Sequence, residues 1–503
     1  MGPIFGNGAS VPYFAPELWL SAGSLTVLLV DRAFARSPRR AQVAVGLTLT
    51  FLAIAAAGTL HASRLAPAPV GLFNGLLVLD PWQTFFRYLF WTATGLAVVM
   101  AAPSREISAA RMGEYCALLL AVAVGLSLMT SASDLVTATL GLELVSIVSY
   151  ALAGFRSRSR ASAEAALKYV LYGGVATGLM LFGMSWLYGM LGSTSMIGAN
   201  ALLSGFLTRA QALSPEAGAA AQVAVVSAVV LVLSGIGFKV AAVPWHMWCP
   251  DVYEGAPTPF TAFLSVAPKA AGFGLLVRFG HSVLDGVDVP WAATIGVIAA
   301  VTMTWGNVAA LSQTNLKRLL AYSSIAHAGY LLMGVAASSV TGDEAIAVYL
   351  VLYLFMNLGA FLAVGVVSRL DGEGVIYEFR GLSSRAPFTA IAMALFLFSL
   401  TGVPPLAGFV GKFYLVKALV DAGSRWHLAL GLLGLFNSVL SLYYYARVVK
   451  AMFVDRPVQP TKLEVPAVYS FLLGFFALAV VAFGISFEGL KRLASASAVL
   501  FTP

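Results

Sequence analysis

Titratable side chains inside long apolar stretches carry the clearest chemical signal in this sequence. The stretch GIGFKVAAVPWHMWCPDVYEGAPTP, residues 235–259, places Lys239 near the end of an apolar run, followed by Pro244 and His246. A proline interrupts a helix, and in lipid the freed backbone groups must be buried in protein or face water. Placing a lysine in the hydrocarbon core costs about 2.5–3.5 kcal/mol on insertion scales, so a lysine at such a position indicates a functional site. Because a buried lysine can bind and release a proton as its neighbours change, the predicted chemistry is proton transfer.

A second interrupted stretch repeats this arrangement in the other half of the chain. SLTGVPPLAGFVGKFYL, residues 399–415, has Pro404 and Pro405 inside an apolar run and Lys412 after them. Paired interrupted helices in corresponding positions of two halves indicate inverted repeats with a site between them at the membrane midplane. The prolines could instead be simple packing kinks, which are common in membrane helices.

Six titratable side chains are expected at a similar depth in the membrane. Counting about 1.5 Å per residue from the nearest loop puts Lys168, Glu143 and His327 some 12–15 Å deep, and Lys269 and Lys412 close to the midplane of a ~30 Å hydrocarbon core. They lie on six different helices: Glu143, Lys168, Lys239, Lys269, His327 and Lys412. Taken singly, these residues have structural alternatives. His327 could simply form a hydrogen bond between helices, and a Glu143–Lys168 pair could serve only to fix helix packing. As a row across the membrane plane, the set predicts a proton path.

The composition is that of a polytopic membrane protein. The 503 residues are 59% hydrophobic and 10% charged, with a mean hydropathy of +0.87. Soluble domains carry about 25% charge, so little mass is expected outside the membrane. In a membrane protein, the net charge of +8 reflects basic residues in the loops that set the orientation, and it does not indicate binding of nucleic acid. Cys116 and Cys249 lie far apart, which argues against a disulfide or an iron–sulfur site, and no basic segment of a cleaved signal peptide precedes the first apolar run.

The predicted fold is all-α, with about fourteen transmembrane helices of roughly 20 residues each. The apolar stretches centre on residues 16–31, 41–60, 78–101, 113–131, 134–154, 163–191, 221–243, 258–282, 290–311, 318–338, 344–368, 387–420, 428–453 and 466–488. Spans four to eight and nine to thirteen are expected to form two five-helix inverted repeats, with broken helices seven and twelve. The corresponding parts are residues 1–111 (three helices), 112–285 and 286–455 (the repeats), and 456–503 (a last helix).

The basic residues predict the orientation. Loops after odd-numbered spans hold most of the arginines and lysines, including Lys317, which places those loops in the cytoplasm and both termini on the outer side. Arg87 and Lys417 are expected near span ends, where long side chains reach the interface. The turn after Lys239 has Asp251 and Glu254 without a basic residue, so it is expected to dock onto protein.

At these residues the sequence resembles a known family. GFKVAAVPWHMWCPDVYEGAPTP, SVAPKAAGFGLLVR, NLKRLLAYSSIAHAGYLL and GVPPLAGFVGKFYL are similar to the antiporter-like membrane subunits of proton-pumping NADH:quinone oxidoreductase, respiratory complex I. The resemblance implies that Glu143 and Lys168 form a charge-switching pair. It further implies that Lys239 is the lysine of broken helix seven, His246 its nearby relay and Lys269 the central connecting lysine.

The resemblance is strongest to subunits of the N type. Lys412 would be the terminal lysine on broken helix twelve, and a lysine there fits subunits N and L better than subunit M. The chain ends soon after the fourteenth span, without the long lateral helix of subunit L. The implied function is proton translocation coupled to quinone reduction in other subunits, within the translocase class of enzymes.

The resemblance also implies the surroundings of the chain. No nucleotide-binding or cysteine motif occurs here, so NADH, FMN, iron–sulfur clusters and quinone are expected in partner subunits. The implied partners are the lipid bilayer and membrane subunits of the K and M types, in a bacterial inner membrane, with no nucleic acid and no metal. A subunit of an Mrp-type cation/proton antiporter is the alternative, and a membrane anchor that moves nothing is a third reading.

Overall fold

A computed structural model describes residues 2–66, 69–286, 291–368, 374–457 and 461–500. Nearly all its regular structure is helical. The first part of the chain contains α1 (Asn7–Ser10), α2 (Ala15–Ala33), α3 (Arg40–Leu65) and α4 (Pro81–Ala101). Next come α5 (Met112–Ser131), α6 (Leu135–Ala153), α7 (Arg160–Leu191), α8 (Ala199–Leu213), α9 (Pro215–Val240), α10 (Trp248–Gly255) and α11 (Thr258–Val283).

The rest of the chain continues the bundle. It contains α12 (Trp291–Leu311), α13 (Leu316–Ala336), α14 (Val340–Ser368), α15 (Leu382–Arg385), α16 (Pro387–Thr401), α17 (Ala407–Asp421), α18 (Arg425–Phe453), α19 (Ala467–Ile485) and α20 (Glu488–Ser497). Short 3-10 turns span Val11–Phe14, Ala109–Arg111, Leu284–Gly286 and Ile376–Phe379.

The predicted spans match the observed helices closely. In the described ranges, 13 helices are long and apolar enough to cross a membrane. The remaining predicted span, 387–420, is formed by two shorter helices, α16 and α17, on either side of a break. The all-α polytopic architecture with about fourteen spans is therefore confirmed.

The structure also contains short elements that were not predicted, among them a hairpin and a helix between spans, besides α1, α10, α15 and α20. Strands β1 (Val70–Leu72) and β2 (Leu77–Leu79) form an antiparallel hairpin before α4, with Val70 opposite Leu79. Its turn places Phe73, Asn74 and Gly75 at positive φ. Helix α8 fills the segment between the sixth and seventh spans, where the sequence shows only a weak apolar pattern.

The first break lies between α9 and α10. Ala241 adopts the left-handed conformation, and the N–H of Ala242 donates to the carbonyl of Gly237 at 2.9 Å, which ends α9 before Pro244. The indole N–H of Trp248 donates to the carbonyl of Phe238 at 3.0 Å. A side chain thus satisfies a carbonyl that a continuous helix would have bonded, as burial requires.

The second break lies between α16 and α17. Gly402 has φ +94°, which glycine adopts without steric penalty, and Pro404–Pro405 prevents the helix from continuing. After the break, the N–H of Gly408 donates to the Ser399 hydroxyl at 3.0 Å. The ammonium of Lys412 donates to the carbonyl of Thr401, the last residue of α16, at 2.8 Å. The lysine that follows the break therefore bonds back to the break itself.

Helix α11 is the centre of the bundle. It is buried throughout its most apolar window, and it packs against α4, α5, α9 and α14. Lys269 lies in its middle, and α13 and α14, which carry His327 and several tyrosines, are also largely buried. Other helices therefore surround α11, and with it the centre of the predicted polar row.

Candidate proton-relay site

Lys239 lies in the last turn of α9 and is 1% exposed. Its ammonium donates to the hydroxyl of Ser146 on α6 at 2.8 Å. Glu143 lies one helical turn before Ser146 on the same helix. The Glu143 carboxylate accepts a hydrogen bond from the hydroxyl of Thr177 on α7. A carboxylate thus lies one helical turn from the hydroxyl that holds Lys239.

Lys168 does not join this group. It pairs with Asp251 at 2.8 Å and Glu164 at 2.6 Å, its side chain is 36% exposed, and none of the described ion pairs connects it to Glu143. Glu143 instead contacts Thr177, nine residues beyond Lys168 on α7 and about 14 Å further along the helix. The expected Glu143–Lys168 pair is therefore absent from this structure.

The length of α7 explains this difference in depth. The helix has 32 residues and is about 48 Å long, whereas the hydrocarbon core is about 30 Å thick. Distance from the start of α7 therefore overestimates depth in the membrane. Lys168 lies level with Arg318, near the start of α13, because both side chains bond Asp251.

The acidic turn after the first break docks onto protein, as predicted. Asp251 bonds Lys168 and Arg318, and Glu254 bonds Arg318 at 2.9 Å. Burial works against the charge of Asp251, but the hydrogen bonds from these two cations prevail and hold the pKa of its carboxyl below the usual value. The turn is thereby fixed between α7 and α13.

His246 lies in the first break and is 6% exposed. Its ring meets the indole of Trp305 edge-on at a centroid distance of 6.0 Å. Its Nδ1 is buried and has no hydrogen-bond partner among the described residues. A histidine ring nitrogen with free hydrogen-bonding capacity can accept or pass a proton.

Lys269 is 3% exposed and is held by α13. Its ammonium donates to the hydroxyl of Ser324 at 2.6 Å and to the Ser324 carbonyl at 3.1 Å. The hydroxyl of Tyr353 on α14 donates to the same Ser324 oxygen at 2.9 Å. Ser324 therefore connects the central lysine with the tyrosines of α14.

His327 and Lys412 continue this line. Nδ1 of His327 is hydrogen-bonded to the hydroxyl of Tyr349, and its ring lies 5.2 Å from that of Tyr353. The Lys412 ammonium lies 4.4 Å from the ring centroid of Tyr330, which in turn is 5.7 Å from the His327 ring. The same ammonium donates to the Ser438 hydroxyl at 3.0 Å. Polar side chains thus extend from Lys269 to Lys412.

Several members of this line were missed at the sequence level. They are Ser146, Ser324, Tyr330, Tyr349, Tyr353 and Ser438. A signal for some of them was present, because Ser324, His327 and Tyr330 recur every three residues along α13, and Tyr349 and Tyr353 stand four apart on α14. Such spacing puts side chains on one helix face.

Three cations near the ends of spans are buried: Arg87, Arg278 and Lys317. Arg87 was expected at the interface, but it is 2% exposed and bonds Glu17 at 2.7 Å. Arg278 bonds Asp80 at 2.8 Å. Lys317 donates to the carbonyl of Ala256 at 2.7 Å. A carboxylate compensates each arginine, and a backbone carbonyl holds the lysine, so these side chains need not reach the surface.

The described part of the chain contains no group of three or more His, Cys, Asp and Glu that could hold a metal ion. The chemistry that this row can perform is proton transfer between lysine, histidine, serine and tyrosine side chains.

Comparison with known proteins decides the family. The family described as "NADH:quinone oxidoreductase/Mrp antiporter, TM" matches residues 132–441, which include both breaks and every residue of the row. The chain belongs to this family. It is 50% identical, over 98% of both chains, to the NADH-quinone oxidoreductase subunit N of Anaeromyxobacter sp. (strain Fw109-5).

Solved structures of this antiporter family agree with the fold. A chain of respiratory complex I from Thermus thermophilus matches with a TM-score of 0.78 and 30% identity, covering 95% of this chain and 99% of that one. A chain of the Mrp complex from Dietzia sp. DQ12-45-1b matches with a TM-score of 0.80, 21% identity and 97% coverage of both chains, which shows the shared fold alone.

Proposed function

We propose that this chain is a proton-translocating membrane subunit of an NADH:quinone oxidoreductase, of the N type. The observation that carries this proposal is the line of polar side chains from Lys269 to Lys412 through the buried centre of the bundle. The 50% identity to a subunit N over nearly the whole chain supports the assignment to complex I rather than to a free antiporter.

The proton relay comprises the charged row and the histidine of the first break. Its members are Glu143, Lys239, His246, Lys269, His327 and Lys412. Lys168, which was expected to belong to it, is instead held by Asp251 and Glu164. Glu143 lies one helical turn from Ser146, which holds Lys239, so a change in the charge of Glu143 alters how tightly that lysine holds its proton. His246 and Lys269 take the proton onward, and the hydroxyls around Ser324 and His327 connect Lys269 with Lys412.

The proposal extends to the parts of the chain and to its surroundings. Residues 112–285 and 286–455 form two inverted five-helix repeats, preceded by the three-helix segment 1–111 and followed by 456–503. Subunits of the K and M types are its neighbours, and NADH, FMN, iron–sulfur clusters and quinone bind to partner subunits. Loops rich in arginine face the cytoplasm, which puts both termini on the outer side of the bacterial inner membrane.

The Mrp-type antiporter remains the second candidate, because its fold is shared. Separation of native membrane complexes, followed by identification of co-migrating subunits, distinguishes the two. We expect this chain to migrate with subunits that contain flavin and iron–sulfur centres. Migration apart from them, with cation/proton exchange by the isolated complex in liposomes, would contradict the proposal.

A further inference from the structure

Helix α11 presents a stripe of buried hydroxyls that leads to Lys269. Its members recur at spacings of three and four residues, which place them on one face of the helix: Thr258, Thr261, Ser265 and Lys269. Each is less than 5% exposed. The stripe runs from the first residue of α11 to its middle, a distance of about 16 Å. The relay between Lys239 and Lys412 uses only its last member.

The outer end of the stripe meets a carboxylate. Glu106, which lies in the loop between α4 and α5, accepts hydrogen bonds from the Thr258 N–H at 2.7 Å and from the Thr258 hydroxyl at 2.6 Å. Its side chain is 16% exposed and lies 4.0 Å from Arg156, which is 41% exposed. Glu106 therefore links the arginine-rich face of the protein with the start of α11.

Lys317 lies beside this end and has no role in the relay described above. It is 5% exposed, and among the described residues its ammonium donates to the carbonyl of Ala256, the residue after α10. Ala256 comes two residues before Thr258, which bonds Glu106. A buried lysine held by a neutral oxygen can release its proton more readily than one held in a carboxylate pair.

Unused hydrogen-bonding capacity lines the rest of the stripe. The hydroxyl of Tyr253 is buried without a partner among the described residues, and its ring lies 5.7 Å from the Lys269 ammonium. The side-chain amide of Asn357 donates to the Ser265 hydroxyl. The Oδ1 of Asn357 is buried and has no hydrogen-bond partner among the described residues. Buried polar atoms without partners are rare, so two along one stripe require an explanation.

We propose that this stripe is the proton-uptake route of the subunit, from Glu106 through Lys317 and the hydroxyls of α11 to Lys269. Glu106 collects a proton at the arginine-rich face, and Lys317 carries it past the start of α11. Tyr253, Ser265 and Asn357 supply donors and acceptors on the way. This inference rests on the proposed function, because it supplies the relay with protons.

The test compares variants in the assembled complex, with proton pumping in membrane vesicles normalised to the amount of complex. We expect Lys317→Met and Lys317→Arg to lose pumping alike, because an arginine keeps the charge but does not release its proton. Lys450→Met is the matched control, since that exposed lysine lies on the same arginine-rich face and should pump normally. A scaffold role, in which Lys317 only holds the Ala256 carbonyl, predicts that arginine preserves pumping, and that result would overturn the proposal.

Ser265→Ala provides an independent test that leaves Lys317 in place. We expect it to lower pumping in assembled complex, whereas Thr48→Ala, the loss of a buried hydroxyl on α3, should not. Wild-type pumping by Ser265→Ala would also count against the route. If Lys239→Arg pumps normally, the proposed function itself fails. If Lys239→Arg is inactive while Lys317→Arg and Ser265→Ala are active, only the uptake route fails.

Discussion

Two of the buried arginines and the buried lysines of the relay have different partners. Arg87 and Arg278 are held by carboxylates, those of Glu17 and Asp80. Lys269 and Lys412 are held by neutral hydroxyl and carbonyl oxygens. A charge-assisted pair retains its ions, whereas a neutral oxygen holds an ammonium less strongly. The arginines therefore act as fixed structural charges, and the lysines are suited to carry protons.

Ser324 is the residue on which the connection of Lys269 depends most. We expect Ser324→Ala to remove the hydroxyl bonded by both Lys269 and Tyr353, while the Ser324 carbonyl still holds the ammonium. Loss of a hydrogen bond to a charged group is worth about 1.5–3 kcal/mol, so the transfer rate should fall roughly tenfold or more.

The measurement is proton pumping per assembled complex in vesicles, with Ser312→Ala, an exposed serine in the loop before α13, as control. Ser324→Thr keeps a hydroxyl and should restore most of the rate. Unchanged pumping in Ser324→Ala would show that protons bypass this serine.

At this scale the sequence predicted the charged row but not its connections. A lysine in an apolar run is conspicuous, so Lys239, Lys269 and Lys412 were found. Serines and tyrosines are ordinary in membrane helices, and only the packing of α13 against α14 shows which of them meet. Lys168 was misplaced in depth, because α7 is longer than the membrane is thick.

At the scale of elements, both breaks bring a lysine to the end of a half-helix. Lys239 lies in the last turn of α9, and the Lys412 ammonium bonds the last carbonyl of α16. The C-terminal end of a helix carries a partial negative charge that favours a cation. The breaks thus stabilise each ammonium without a full carboxylate charge in contact, which leaves it able to exchange its proton.

The first helices are fastened to the bundle by a buried ionic pair. We expect Glu17→Gln to leave Arg87 without its carboxylate on α2, which costs about 3–5 kcal/mol where burial is complete. The amount and thermal stability of assembled complex should therefore fall. Glu114→Gln is the control, since Glu114 and Arg111 are largely exposed and such a pair is worth about 0–1 kcal/mol. Equal stability of the two variants would mean that the buried pair contributes little.

The sequence predicted those elements that have a clear hydropathy signal. Spans and both breaks follow from apolar length and from proline, because lipid allows few alternatives. The hairpin lacks such a signal because its strands have three residues each and β2 merges with the apolar run 78–101. Helix α8 lacks one because it lies between two predicted spans. Arg87 was misassigned because its partner, Glu17, is distant in sequence and on another helix.

At the scale of the whole molecule, α11 joins the parts of the site. It packs on α9, where Lys239 lies, and on α14, which carries Tyr349 and Tyr353. Its own Lys269 stands between them, bonded to Ser324 of α13. A proton that moves from the first break to the second must therefore pass α11, and interruption at any one lysine should stop the whole path.

Lys239 provides the most direct test of the central claim that these lysines move protons. Lys239→Arg keeps the positive charge, but a guanidinium with a pKa above about 12 does not release its proton on demand. Lys239→Met removes both charge and proton. Proton pumping should be measured in vesicles containing equal amounts of assembled wild-type, Lys239→Arg and Lys239→Met complex. The account predicts that both variants fail to pump, arginine included, whereas wild-type pumping by Lys239→Arg would contradict it.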